Sequence, residues 1–104
     1  MASARLETLQ GFVADNPEDA FARYGLAQEL AKLGRLQDAL AEFERLLERH
    51  PDYQAGYYHA GQTLVRLGRR EDARRMFEAG VAASGRTGDL HARSELEAAL
   101  QELS

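Results

Sequence analysis

Two groups of side chains with matching chemistry lie 34 residues apart: Tyr24, Gln28 and Lys32, and Tyr58, Gln62 and Arg66. Within each group the spacing is four, which at about 100° per residue puts all three on one stripe of a helix. Phe21 extends the first stripe by one turn, as Ala55 does the second. Tyrosine offers a rigid apolar face with a hydroxyl, glutamine can donate to and accept from backbone amides, and Lys32 and Arg66 can meet a carboxylate. This is chemistry for holding a peptide, not for breaking bonds. The competing expectation is that Tyr24 and Tyr58 fill space between helices and leave only their hydroxyls at the surface.

Other chemistry is weakly signalled. His50, His59 and His91 share no metal-ligand spacing and lack neighbouring cysteines or paired carboxylates, so neither a metal site nor a catalytic cluster is expected, and surface positions are. Gly85-Arg86-Thr87-Gly88 has neither the lysine nor the following hydroxyl residue of a phosphate-binding loop, and follows no strand. No Ser-His-Asp or Cys-His arrangement is legible. An enzyme with an unrecognised site is the least favoured reading, and no cofactor is implied.

The net charge of −4 argues against a nucleic-acid or anionic-membrane partner, which a dominant basic patch would attract. The densest basic cluster, Arg66, Arg69, Arg70, Arg74 and Arg75, is interrupted by Glu71 and Asp72 and carries no aromatic stacking platform. There is no cysteine, no apolar stretch long enough to span a bilayer and no signal-like leader, so a cytoplasmic location is expected. At 104 residues the chain has room for one small domain.

The elements that must position these residues follow from periodicity. Apolar residues return at steps of three and four, and no Val/Ile/Thr-rich run alternates with period two. Six helices are predicted: Ser3–Ala14, Pro17–Leu33, Leu36–Arg49, Pro51–Leu67, Arg70–Ala83 and one capped by Asp89. The first carries Leu6, Leu9, Phe12 and Val13 on one side. On the second, Arg23, Leu26, Ala27, Leu30 and Leu33 form a stripe opposed to the tyrosine stripe. Ser84-Gly85-Arg86-Thr87-Gly88 reads as a turn-rich loop. In the last helix Ala92, Leu96, Ala99, Leu100 and Leu103 make a clean apolar stripe suited to covering the open end of a stack.

Overlaying Pro17–Glu44 on Pro51–Glu78 matches eleven residues identically, among them Pro17/Pro51, Tyr24/Tyr58, Gly34/Gly68, Ala39/Ala73 and Phe43/Phe77. A period of 34 with these residues resembles the tetratricopeptide repeat, a helix-turn-helix unit. Leu26-Ala27, Leu30, Gly34, Ala39, Phe43 and Pro51 stand at its characteristic positions in the first repeat, and Ala60-Gly61, Leu64, Gly68, Ala73 and Phe77 in the second. Arg23 stands where the family usually has a bulky apolar residue, Arg70 replaces an apolar residue, and Leu46 and Gly80 replace an alanine. The resemblance implies an all-α, right-handed solenoid. It reads as a single unit over 1–104: an N-terminal helix in 1–16, repeats at 17–50 and 51–84, and a capping helix at 89–104. Small bacterial proteins of two repeats plus a terminal helix are similar.

The resemblance also implies that the Tyr-Gln-Lys/Arg stripes line a concave groove, making the protein a non-catalytic module for a peptide or protein partner. A carboxylate clamp of the kind some chaperone-binding members use is disfavoured. Tyr24 and Tyr58 occupy places where it would want a basic residue, and Gln28 and Gln62 replace asparagines. The alternative is homo-oligomerisation, a homodimer burying Phe21, Tyr24 or an end surface such as Leu6 and Leu9.

Overall fold

The computed structural model describes residues 3–104; Met1 and Ala2, at the start of the expected N-terminal segment, lie outside the described residues. Six α-helices run in order: α1 Ala4–Asp15, α2 Ala20–Lys32, α3 Leu36–Arg49, α4 Gln54–Arg66, α5 Arg70–Thr87 and α6 Leu90–Glu102. The described residues contain no strand, and no described helix is long and apolar enough to cross a membrane.

Each helix packs on the next, and α2–α4 and α4–α6 also touch. The odd-numbered helices make no such contacts with one another. A stack whose even helices converge while its odd helices spread must curve toward the α2/α4/α6 face, which is therefore the concave side.

The turns explain the paired glycines. Gly34 and Gly68 have φ of 81° and 77°, a conformation that a Cβ would strain. At the first turn the Gly34 N–H donates to the Ala31 carbonyl (3.0 Å) and the Arg35 N–H to the Leu30 carbonyl (2.9 Å). Gly68 and Arg69 repeat this on Val65 and Leu64. Each pair of bonds satisfies carbonyls that the helix end leaves free.

The prolines lie differently from expectation. Pro17 and Pro51 sit in turns before α2 and α4 and do not open the helices. Asp19 caps α2, accepting from the Ala22 N–H at 3.0 Å, while Asn16 ends α1. Residue 23 and its counterpart at 57 reach back to the preceding proline carbonyl: an Arg23 guanidinium nitrogen donates to Pro17 at 3.2 Å, and the Tyr57 hydroxyl donates to Pro51 at 2.7 Å. One structural task is thus done by two residue types, which accounts for arginine at an apolar position. Arg23 also pairs with Glu42, both side chains being largely buried.

The core centres on Phe43 and Phe77, both essentially fully buried, each worth about 2–3 kcal/mol in transfer free energy. The α6 stripe is inward as expected, with Leu96, Ala99 and Leu103 buried. Three expectations fail. Phe12 is exposed, whereas Leu6 is buried and Leu9 packs on the core, so Leu6 and Leu9 do not form a free end surface. The turn-rich loop is helical as far as Thr87: Ser84 is buried and donates to the Gly80 carbonyl (2.9 Å), and the helix stops only at Gly88, with φ of 76°. Burial of Ala83 and Ser84 outweighs the turn propensity of the segment.

Candidate functional site

The concave face is built by the stripes of α2 and α4 that the leucines leave free. Gln28 and Lys32 from α2 and Gln62 and Arg66 from α4 line one open cavity of about 230 Å³ between the two helices. Phe43, His59 and Thr63 complete much of its wall. Lys32 and Arg66 stand in the last turns of their helices, with Gln28 and Gln62 one turn earlier. A guanidinium nitrogen of Arg66 donates to the Ala31 carbonyl at 3.1 Å, so Arg66 leans across to the end of α2. No carboxylate lines this cavity.

Beside it runs a row of rings. The Tyr24 and Tyr58 centroids lie 5.6 and 5.3 Å from that of His59, each edge-on. His59 in turn stacks on Phe43, 6.4 Å away with the planes 13° apart, and Tyr53 lies 5.2 Å from Tyr24. Tyr24 and Tyr58 are each half-buried, Tyr24 packed on the core cluster around Phe43 and Tyr58 on the one around Phe77. Burial, then the neighbouring Tyr53, raises the Tyr24 hydroxyl above its ordinary pKa, keeping it a neutral hydrogen-bonding group. Burial likewise raises Tyr53, with Asp19 adding to it.

His59 departs from the surface position expected of the three histidines. It lies half-buried inside the row. Burial pushes its imidazole below the ordinary histidine pKa, and Glu95 opposes that in part. The signal was present: Ala55, His59, Gln62 and Arg66 follow i, i+4, i+7 and i+11, so His59 belongs to the concave stripe.

Beyond α4 a second cavity of about 350 Å³ opens toward α6, with Tyr58 on one wall and Asp52, Asp89 and Glu95 around it. These carboxylates already have partners. Asp52 meets Arg86 at 3.1 Å, Asp89 caps α6 through the Ala92 N–H at 3.0 Å, and Glu95 faces His91 at 3.6 Å. Of the seven residues singled out, four therefore converge on the α2/α4 cavity. Tyr58 lines the neighbouring one, Tyr24 lies in the ring row, and Phe21 projects into solvent with 76% of its surface exposed.

Among the described residues no group of three His, Cys, Asp or Glu side chains could hold a metal ion. Within the basic cluster Asp72 bridges Arg69 and Arg75, whose hydrogen bonds hold its carboxyl below the ordinary aspartate pKa, and Arg74 pairs with Glu71.

The curvature, the glycine turns and the 34-residue period have counterparts in known proteins. A tetratricopeptide repeat family model matches residues 30–92. A TPR repeat-containing protein of Pseudomonas aeruginosa is 29% identical over 98 residues, covering 94% of this chain and 93% of that protein. The solution structure of a tetratricopeptide repeat domain protein from Salinibacter ruber is 41% identical, covers 85% of this chain and 89% of its own, and superposes with a TM-score of 0.80. YrrB, a TPR protein with an unusual peptide-binding site, is 28% identical with a TM-score of 0.78, over 88% of this chain and 46% of YrrB. With the family match running from within α2 into α6 and the helices stacked as the repeat requires, the chain belongs to the tetratricopeptide repeat family.

Proposed function

We propose that this protein is a non-catalytic interaction module that holds an extended stretch of a partner polypeptide along its concave face. The whole chain acts as one unit, with α1 and α6 completing the stack around two full repeats. The observation that carries the reading is the convergence of Gln28, Lys32, Gln62 and Arg66 on one cavity beside the Tyr24–His59–Tyr58 row. Paired amides suit main-chain groups, and half-buried rings supply apolar contact at small entropic cost. The likeness to YrrB supports a peptide as the occupant.

The test compares proteins captured from the source cell's lysate by wild type and by Gln28→Ala/Gln62→Ala. These glutamines are better probes than the tyrosines, whose rings also pack on the core. Loss of specific proteins from the variant, at unchanged thermal midpoint, is the expected result; identical captures overturn the reading. Homo-oligomerisation is the second reading, favoured by the exposure of Phe21 and Leu90, each 76% open. Sedimentation showing a monomer at high concentration removes it.

A further inference from the structure

Ten of the thirteen cationic side chains lie within ion-pair distance of a carboxylate. The exceptions are Lys32, Arg66 and Arg70. Arg70 spends its guanidinium on the Leu103 carbonyl at the end of α6. Lys32 and Arg66 line the same cavity, and among the described residues neither has a carboxylate partner. On a chain of net charge −4, with anions available to every other exposed arginine but Arg70, this is a local reversal of sign.

Helix ends offset only part of it. Each C-terminus carries about half a negative charge, so α2 and α4 together cancel roughly one of the two cations and leave about one in excess. Arg66 commits one donor to Ala31 and keeps the others free to point outward.

We infer that the concave groove takes an acidic side chain of its partner, an aspartate or glutamate, between Lys32 and Arg66. This rests on the reading of that face as the binding groove. A single carboxylate matches the excess charge. An extended polyanion does not, because the next cavity is lined by Asp52, Asp89 and Glu95 and by no lysine or arginine that could hold a second anion. A side chain within the segment fits better than a terminal carboxylate. Gln28 and Gln62 flank the cations one turn earlier, where they can hold main chain on either side of the acidic residue.

The test begins with peptides selected from a random library on the full chain, their binding followed by fluorescence anisotropy. Selected sequences are expected to share an Asp or Glu. Replacing it by Asn or Gln weakens binding about tenfold, as does Lys32→Gln/Arg66→Gln, and the two changes together cost no more than either alone. Amidating the peptide's C-terminus changes nothing. If removing the Arg66 bond to Ala31 impairs folding, Lys32→Gln alone serves, since Lys32 is exposed outside the core. Additive losses, or equal binding by wild type and variant, overturn the inference, and a loss on amidation assigns the cations to a chain terminus instead. Should Gln28→Ala/Gln62→Ala weaken the same peptides while the cation variant does not, only this inference falls. Should neither variant matter, or no peptide be selected, the groove reading falls with it.

Discussion

Gly80 lies so close to Tyr57 that a Cβ at position 80 would stand 2.7 Å from the Tyr57 Cβ, and 2.9 Å from Cδ2 of Leu96. The absence of a side chain here, as at Gly61 against Phe77, lets α5 seat closely between α4 and α6. Gly80→Ala is expected to lower stability by up to about 2 kcal/mol, because overpacking of about 1–3 kcal/mol is offset by a helix-propensity gain of only about 1 kcal/mol. Gly85 meets nothing within 4 Å in the same helix, so Gly85→Ala should gain about 0.5–1 kcal/mol. Urea midpoints of the two variants must move in opposite directions.

Stability should fall as pH drops below the ordinary histidine value of 6.5, and His59 should be a cause. Its folded pKa is lowered by burial, so in the window beneath 6.5 the unfolded chain binds the proton more readily than the folded protein does. Above that window both states are neutral and no effect remains. Thermal midpoints of wild type and His59→Phe, compared at neutral and mildly acidic pH, should show a smaller acid loss in the variant. Asp72 contributes separately and lower, because its depressed pKa withdraws stability only as pH falls through the aspartate range.

The Arg23–Glu42 pair should matter more than the exposed pairs. Its side chains retain only 12% and 17% of their exposure, and Arg23 also serves the Pro17 carbonyl. Arg23→Ala is expected to cost about 1–3 kcal/mol, chiefly through the acceptors left behind. Arg35→Ala, at the exposed Arg35–Asp38 pair, should stay within about 0.5 kcal/mol. Equal losses in denaturant titrations would refute the distinction.

Tyr24 divides its ring from its hydroxyl. The ring packs against Phe43, Tyr53 and His59, so Tyr24→Ala should cost about 1–3 kcal/mol, while Tyr24→Phe should change stability by less than about 0.5 kcal/mol. Any loss of partner binding by Tyr24→Phe then reports the hydroxyl alone, read by titration against a captured partner.

Much of this was legible in advance because the repeat is local. Gly34 and Gly68, 34 residues apart, announce the turns through a backbone requirement that no other residue meets cheaply. The α6 stripe declares its buried side by spacing. The Ser84–Gly88 segment misled because turn propensity is intrinsic to residues, whereas burial of Ala83 and Ser84 depends on what packs over them. The place of His59 depends on neighbours in the same way: its stripe is readable, but the rings of Tyr24 and Phe43 reach it only from other helices.

The sequence by itself determined that there are six helices, the glycine turns at Gly34 and Gly68 and which stripes of α2 and α4 stay free of the leucine core, since periodicity and glycine placement act within a few residues. Tertiary structure decided the concave face and the meeting of Lys32 with Arg66 across one cavity. It also decided the partial burial of Tyr24 against the core, and the fate of each arginine. Those outcomes depend on how far one helix leans on the next, a sum of side-chain volumes and close approaches such as Gly80 on Tyr57 that no single helix contains.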